Sequence, residues 1–282
     1  MVEEFAFRII EPHWQLKNFV QYYWILKDNG MGESVPELLL PDGYAEIIFN
    51  RINESYKRVE SNSPENSSLL NKSYTVSSNG KSVFAQRVNK IDMIGVKLMP
   101  NFLHKILGIP LTEISKEPVY IENLNNCDIS LLEIMLLEND TTHEVKKILD
   151  RFFLGKLDEF TPTHFSNALS IIHTSNGKFD IKSVLNTLNI HYSTLERSFK
   201  KYSGMSPKSF QRMIRFRNCY SALQKETTNF MNERQYLDYG YYDQNHFIKD
   251  FKFFLSTTPS QLIKSKVDFS TDVTHEHLHY NF

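Results

Sequence analysis

Two short rows of polar and positively charged residues recur in the C-terminal half of this 282-residue chain. The first row is Ser193, Arg197 and Lys200, and the second is Asn245, Lys249 and Lys252. In each row a hydrogen-bonding side chain is followed by two cations at helical spacing, so all three share one helix face. Such a face can read base edges in a DNA groove and hold phosphates. One row alone is better explained by chance on a solvated helix, but two rows in the same phase favour DNA binding.

Both rows belong to a unit that occurs twice, with an offset of 52 residues. In the first copy an apolar stripe precedes Ser206-Pro207, and in the second a similar stripe precedes Thr258-Pro259. Ser or Thr directly before Pro is typical of a helix start. The repeat therefore predicts a duplicated helix-turn-helix unit. The stripes consist of Leu195, Phe199 and Tyr202 in the first copy and Phe247, Phe251 and Phe254 in the second.

A long helix is predicted between the two units, from Pro207 to Lys225. Its 19 residues would span about 28 Å at 1.5 Å per residue. Successive major grooves on one face of DNA lie about 34 Å apart. A single chain could therefore place both helices in adjacent grooves, and no dimer is required for that.

The charge of the chain is divided unevenly between its halves. Residues 160–268 hold 15 Lys and Arg against 8 Asp and Glu, whereas residues 1–159 hold 17 against 23. A basic half of this kind suits a polyanionic partner. Charge alone does not distinguish such a partner from a solvated basic surface. The two repeated rows of polar and positively charged residues favour DNA as the partner.

The N-terminal half reads as mixed α and β structure. Strands are predicted at Phe19–Lys27, Tyr44–Asn50 and Asp92–Leu98, because these runs are rich in branched and aromatic residues. Pro100 is predicted to begin a helix that Gly108 ends. The polar residues 60–80 are predicted to form a loop. One or two amphipathic helices are expected within Ile129–Phe153.

These patterns predict an α+β domain over residues 1–159, an all-α domain over 160–268 and a tail over 269–282. Thr161-Pro162 is expected to start the first helix of the second domain. Asp180 is expected to cap the next helix and Asn189 to end it. The all-α domain would then hold two helix-turn-helix units joined by the long helix.

The segment from Pro162 to Lys266 resembles the double helix-turn-helix domain of AraC/XylS-type transcription regulators. The resemblance rests on "LERSFKKYSGMSPKSF", on Arg217 after it, and on "GYYDQNHFIKDFK" followed by "TTPSQL". It implies a sequence-specific, DNA-binding transcription regulator, for which activation is the common mode and repression stays open. The DNA contacts it implies are Ser193, Thr194, Arg197 and Lys200 in the first unit and Gln244, Asn245, His246 and Lys249 in the second; the internal repeat adds Lys252.

Four positions depart from that family pattern. Leu185 and Tyr236 stand where the family favours small residues, Gln235 stands for an aliphatic residue, and Ser256 stands where Gly is frequent. Adding a side chain as large as Tyr to a packed core is costly. We therefore expect the first helix of the second unit to sit displaced outward, with the Tyr236 hydroxyl reaching water or a polar partner. The second unit would then read DNA less sharply than the first.

The N-terminal half resembles, more weakly, the sensor domains attached to some of these regulators. The matching stretches are "LLLPDGYAEIIFN" and "IGVKLMPNFLHKILGIPLTEI". The resemblance implies a domain that binds an effector or mediates dimerisation. The expected partners are double-stranded promoter or operator DNA, a small-molecule effector and RNA polymerase, with the protein a monomer or a homodimer.

Two other classes of function were weighed. An enzyme targeted to DNA, such as an alkyl-transfer repair protein, would need an activated cysteine, and Cys127 has only Asn and Asp beside it. An interaction module that has lost DNA binding is disfavoured by the outward cations. No catalytic residue, cofactor or metal site is therefore expected, and His275, His277 and His279 are assigned to surface chance. Trp14, Tyr22, Tyr23 and Trp24 could line an effector pocket, although core packing is the favoured assignment.

The expected location is the cytoplasm. No apolar run approaches the 18 residues of a membrane-spanning helix, and "MVEEFAFRII" lacks the basic start of a secretory signal. The two cysteines, Cys127 and Cys219, have no spacing that suggests a disulfide framework.

Overall fold

The computed structural model describes residues 5–30, 37–52, 56–60, 63–77, 80, 82–114, 117–157, 163–175, 180–225, 231 and 234–261. Strands dominate the first part of the chain. They are β1 (Phe5–Ile10), β2 (Val20–Asp28), β3 (Glu37–Leu39), β4 (Ala45–Asn50), β5 (Tyr56–Glu60), β6 (Ser63–Leu70), β7 (Tyr74–Ser77), β8 (Val83–Arg87), β9 (Ile91–Leu98) and β10 (Val119–Tyr120).

Helices follow the strands. Three of them complete the N-terminal domain: α1 (Pro100–Leu107), α2 (Cys127–Leu137) and α3 (Thr142–Leu154). The helical region then consists of α4 (His164–Thr174), α5 (Ile181–Leu188), α6 (Tyr192–Ser203), α7 (Pro207–Lys225) and α8 (Gln244–Leu255). Short 3-10 turns lie at Trp14–Leu16, Ile121–Asn123 and Gln235–Tyr239. The predicted fold class, an α+β domain followed by a helical one, is confirmed.

The strands form two antiparallel sheets. The larger sheet has the order β1-β2-β9-β4-β7-β10, and the smaller has the order β3-β8-β5-β6. Because side chains alternate along a strand, the larger sheet has two different faces. Tyr23, Ile47 and Val96 point into a core with α1, α2 and α3. Ile48 and Tyr74 lie on the opposite face and pack with Leu70 of the smaller sheet.

Most local predictions are confirmed. β2, β4 and β9 occupy the three predicted strand segments, and α7 has the predicted ends. Pro100 begins α1, and Gly108 ends it in the left-handed conformation at φ 72°. Asp180 caps α5 by accepting a hydrogen bond from the amide of Lys182, and Asn189 ends that helix at φ 50°.

The prediction of a loop over residues 60–80 is wrong. β6 and β7 occupy most of that segment, because sheet pairing uses backbone groups that polar residues also possess. β6 pairs with β5 at the edge of the smaller sheet, and its Ser67 and Ser68 are exposed. β7 pairs with β4 and β10 and buries Tyr74 and Thr75.

One or two helices were predicted within Ile129–Phe153, and the structure has two, α2 and α3. Thr141 separates them and caps α3 by accepting a hydrogen bond from the Glu144 amide at 3.2 Å. α3 is amphipathic, as predicted. α2 is not, because it carries apolar side chains on its outward face as well as on its inward face.

The N-terminal domain packs directly on the first helix-turn-helix unit. Leu38 in β3 and Leu40 directly after it belong to the hydrophobic core of the helical region. The ring of His104 on α1 meets the ring of Tyr202 on α6, with centroids 5.1 Å apart. Phe210 on α7 lies against Gly43 in the turn before β4. The core of the first unit is therefore completed by residues from the other domain.

Two predicted features lie outside the described residues: the helix start at Thr161-Pro162, and with it the division of the chain between residues 159 and 160, and the tail 269–282. Within the described ranges, no helix combines the length and the apolar character needed to cross a membrane.

Replacing Gly43 by Ala tests the contact between the domains. A Cβ atom at this position would lie 2.3 Å from Cζ of Phe210, and the residue also has φ of 84°. Gly108→Ala is the matched control, because its φ is 72° and its Cβ would meet nothing within 4 Å. We expect Gly43→Ala to lower the free energy of unfolding by about 1–3 kcal/mol more than the control, as overpacking does. Equal losses in urea denaturation would contradict this packing.

Candidate nucleic-acid interface

The duplicated unit is visible as two helices of equal length. α6 and α8 each contain 12 residues, and both their first and last residues are offset by 52 positions. Each ends in the left-handed conformation, at Gly204 with φ 71° and at Ser256 with φ 55°. The departure of Ser256 from the family pattern thus falls at a position where the backbone favours glycine.

α6 presents its predicted row to solvent. Ser193, Arg197 and Lys200 are exposed, and Thr194 is half-buried. Lys200 makes an exposed ion pair with Glu196 at 3.4 Å, which is weak because solvent screens it. The row is therefore available to a ligand that approaches from outside.

Aromatic packing fixes the opposite face of α6. Phe199 is fully buried between Phe165 of α4 and Phe210 of α7, with ring centroids 4.9 and 5.4 Å apart. Edge-to-face rings at such distances are favourable. The orientation of the outward row is thus set by a core that α4, α6 and α7 share.

α8 repeats this arrangement. Asp243 caps the helix by accepting a hydrogen bond from the His246 amide at 2.7 Å. Phe247, Phe251 and Phe254 are buried. The predicted residues Gln244, Asn245, Lys249 and Lys252 are all exposed.

His246 has partners on α7 and in the segment before α8. Its side chain is half-buried, and its Nε2 lies 3.1 Å from Nη2 of Arg215 on α7. Its ring also meets Tyr241 edge to face at 5.1 Å. A DNA contact by His246 stays a prediction.

Asp250 anchors α8 to the connecting helix and was missed from the sequence. Its carboxylate accepts hydrogen bonds from Nε of Arg212 at 2.6 Å and from Nη2 of Arg215 at 2.9 Å. Its side chain is 3% exposed. A buried carboxylate needs such partners. The signal in the sequence was an acidic residue three positions after Phe247, within the apolar stripe, and arginines spaced along α7.

Tyr236 corrects the expectation of a displaced second unit. Its side chain is 4% exposed, and its ring stacks on Phe247 at 5.5 Å with planes only 5° apart. The surrounding segment is a 3-10 turn, Gln235–Tyr239, in place of an α-helix. This 3-10 turn holds the large ring of Tyr236 inside the core. The prediction that the first helix of the second unit is displaced outward is therefore wrong.

Arg217 connects α7 to the N-terminal domain through a buried cluster of charges. Its Nη1 lies 3.0 Å from Oδ2 of Asp42, and the same carboxylate also contacts Nζ of Lys97 on β9. Lys97 in turn lies 3.4 Å from Glu46 on β4. The three side chains of Asp42, Lys97 and Arg217 are each no more than 11% exposed.

Electrostatics in this cluster favour the charged form of Asp42. Burial alone would raise the pKa of Asp42, but Lys97 and Arg217 hold that pKa well below its ordinary value. The resulting stabilisation is complete above the ordinary carboxyl pKa of about 3.9 and is lost as the pH falls through the lower folded-state value. For Glu46, burial prevails over the attraction of Lys97, and its pKa is raised.

The remaining candidate residues lie in different places. Cys127 is exposed at the start of α2. Cys219 is buried in α7, where burial raises the pKa of its thiol. Trp14 is 71% exposed, and Tyr23 belongs to the core beneath α1, α2 and α3. No group of three or more His, Cys, Asp or Glu residues in the described part of the chain is arranged to hold a metal ion.

Comparisons with known proteins match both parts of the chain. Residues 8–119 match the family described as "Domain of unknown function (DUF6597)". Residues 184–265 match the family described as "Helix-turn-helix domain". A search of curated proteins found no match.

Solved structures with similarity include ToxT from Vibrio cholerae O395, which is 12% identical with a TM-score of 0.44 over 94% of this chain and 99% of that one. Wild-type ToxT from Vibrio cholerae strain SCE256, solved with bound unsaturated fatty acid, is 13% identical with a TM-score of 0.44 over 93% and 95%. The AraC-like transcriptional activator CuxR is 13% identical with a TM-score of 0.27 over 78% and 86%.

The paired helices and the helix-turn-helix match define the class of protein, which is a DNA-binding transcription regulator. Within this class, the C-terminal match is to a helix-turn-helix domain of the AraC type, and it lies behind a match to the DUF6597 domain. The resemblance found in the sequence is thereby confirmed.

The unequal helix ends lead to a stability prediction. Ser256 holds a left-handed conformation that costs roughly 1–2 kcal/mol for a residue with a Cβ atom, whereas glycine adopts it freely. We expect Ser256→Gly to raise the thermal midpoint of the chain, and the mirror variant Gly204→Ser to lower it. Calorimetry of the two variants checks both signs. A lower midpoint for Ser256→Gly would show that its side chain contributes more than the backbone strain costs.

Proposed function

We propose that the protein is a sequence-specific transcription activator that reads one DNA site with both recognition helices. The observation that supports this most strongly is the pair of outward rows on α6 and α8, which have the same phase and the same residue types. The proposed functional units are residues 1–159 for regulation and 160–268 for DNA binding. Activation is the common mode of AraC/XylS-type regulators, and RNA polymerase is the proposed partner.

The proposed contacts divide by position along each helix. Residues in the first turn would meet base edges, and the cations farther along would hold phosphates or read guanine. In α6 these are Ser193 and Thr194, followed by Arg197 and Lys200. In α8 they are Gln244, Asn245 and His246, followed by Lys249 and Lys252. The 19-residue α7 would hold the two helices in adjacent major grooves.

We also propose that the N-terminal domain tunes DNA binding through a small-molecule effector and through self-association. A small-molecule effector is supported by buried polar groups on the face of the larger sheet that points away from α1, α2 and α3. The hydroxyl of Tyr22 is buried there without a hydrogen-bond partner in the described ranges. Nζ of Lys97 lies 5.6 Å from the centre of the same ring. Buried polar groups normally have partners, and an effector would supply one.

The proposed route from this face to the DNA is the contact of Lys97 and Asp42 with Arg217. Lys97 lies on the same sheet face as Tyr22, and Arg217 lies on the helix that joins the two recognition helices. A shift of Lys97 on effector binding would therefore act on α7. This places the coupling in a buried ionic contact, where interaction energies are large.

Arg197→Ala tests the reading of DNA. We expect the variant to lose about 1–3 kcal/mol of binding free energy and to relax the preference at one base pair. Arg151→Ala is the matched control, because Arg151 is an exposed arginine on α3 of the acidic half. Fluorescence anisotropy with a site selected from a random DNA pool measures both, at several salt concentrations. Uniform weakening on all sequences would make Arg197 a phosphate contact, and an unchanged affinity would contradict the proposed interface.

Asp42→Asn tests the coupling between the domains. The change removes the carboxylate that Lys97 and Arg217 share and leaves Lys97 with its ion pair to Glu46. Breaking a buried pair in this way costs about 3–5 kcal/mol. We expect DNA affinity to fall by about 5–150-fold, the usual range of a coupling free energy. Asp128→Asn is the control, because Asp128 makes an exposed ion pair with Lys156 in the same domain. A loss of stability with unchanged DNA affinity would show that the contact only holds the fold together.

A further inference from the structure

Tyr242 is the most exposed large apolar side chain among the residues that the structure describes, at 89%. It lies directly before Asp243, the residue that caps the N-terminal end of α8. An apolar residue at this place usually packs against the fourth residue of the helix that follows, and so fixes the entry of the chain into the helix. The side chain of Tyr242 does not have this role, because it lies in solvent.

Tyr241 has that structural role instead. It is 3% exposed, and its ring meets Phe247, the fourth residue of α8, edge to face at 5.2 Å. The first unit offers a comparison, because the residue 52 positions before Tyr242 is Ile190. Ile190 is half-buried and packs against the core of the helical region. Tyr242 is therefore an aromatic residue that the packing of the second unit does not use.

The backbone on both sides of Tyr242 is held in place. The guanidinium of Arg215 on α7 lies over the ring of Tyr241, 4.5 Å from its centre. On the other side, Asp243 accepts a hydrogen bond from the His246 amide at 2.7 Å. The exposed ring is thus held beside the first turn of α8, which is proposed to meet base edges. A tyrosine side chain has few rotatable bonds, so ordering it against a partner costs little conformational entropy.

The charges around Tyr242 favour the bases over the DNA backbone as its partner. Asp238 and Asp243 lie four positions before it and one position after it, and both are exposed. Phosphates repel carboxylates, whereas the exposed Lys249 and Lys252 farther along α8 are suited to hold phosphates. The N-terminal end of α8 is therefore the end directed at the bases, and Tyr242 lies at that end.

In the major groove, base pairs present hydrogen-bond donors and acceptors, and thymine adds an apolar group, its 5-methyl. We propose that the ring of Tyr242 recognises a thymine methyl group at a base pair beside those met by Gln244 and Asn245. This inference rests on the proposed DNA binding and adds a specificity-determining residue to it. Because Ile190 is packed against the core, the methyl contact is confined to the half-site read by α8.

Replacing thymine by deoxyuridine tests the contact, because the change removes the methyl group and keeps the hydrogen-bonding groups of the base. Each thymine of the site selected from a random DNA pool is replaced in turn, and full-length protein is titrated by fluorescence anisotropy. The half-site read by α8 is the one whose base preference Asn245→Ala relaxes. We expect one replacement in that half-site to weaken binding about fourfold, which is the effect of one buried methyl-sized group.

Variants of Tyr242 assign this effect to its ring. We expect Tyr242→Ala to bind about tenfold more weakly, because a buried aromatic ring contributes more than one methyl group, and to bind the thymine and deoxyuridine sites equally. Tyr242→Phe keeps the ring and should keep the fourfold difference. Both variants should fold normally because the side chain is exposed, and circular dichroism checks this. Trp14→Ala is the matched control, since Trp14 is a 71% exposed aromatic residue of the N-terminal domain, and it should leave binding unchanged.

Three outcomes would overturn the inference. A fourfold difference that persists in Tyr242→Ala would assign the methyl group to another side chain. Weaker binding by Tyr242→Ala without a responsive thymine in that half-site would make the ring a contact to sugar and phosphate. Unchanged affinity would place the ring outside the DNA interface. All three leave the dependence of binding on Arg197 intact, so the DNA-binding proposal fails separately, by a chain that selects no site from the pool.

Discussion

The buried carboxylate of Asp42 is the interaction on which the relation between the two domains depends. It lies between Lys97 of the larger sheet and Arg217 of α7, and a buried charge is strongly destabilising once its partner is removed. Next to Asp42 in the chain, Gly43 packs against Phe210 of α7. This contact therefore fixes the position of α7, the helix that joins the two recognition helices, relative to the larger sheet of the N-terminal domain.

The connecting helix α7, which is held by Asp42, also positions both recognition helices. At its N-terminal end, Phe210 packs on Phe199 and fixes α6. Further along, Arg212 and Arg215 hold Asp250 and fix α8. One face of α7 therefore meets the sheet domain, and others position the recognition helices. The positions of those helices therefore depend on α7 and on the side chains packed around it.

Features with a local cause could be predicted from the sequence. The aromatic stripes at helical spacing, the prolines that begin helices and the 52-residue offset are each readable within a short window, and the structure agrees with them. Features that depend on a distant partner could not. The serine-rich β6 is a strand only because β5 offers it a backbone to pair with, and Tyr236 is buried only because Phe247 provides a surface to stack on.

The candidate site shows the same division. The exposure of Arg197 and Lys249 follows from the helix period alone. The pairing of Asp250 with two arginines of α7, more than 30 residues earlier in the chain, required the fold. The engagement of His246 by Arg215 is likewise invisible to periodicity, and it distinguishes this histidine from neighbours that the sequence treats alike.

The presence of Leu38 and Leu40 in the core of the helical region bears on how portable the two halves are. In a freely exchangeable module, the linker is the one point of attachment, and any sensor can be joined to any DNA reader. Here the surface between the halves is a continuous packed interior, completed by the turn that contains Asp42. A chimera that joins this DNA-binding region to a foreign sensor domain would expose apolar surface of the helical core unless the residues around this turn were transferred with it. The two halves are therefore bound to diverge together, as the two sides of one interior.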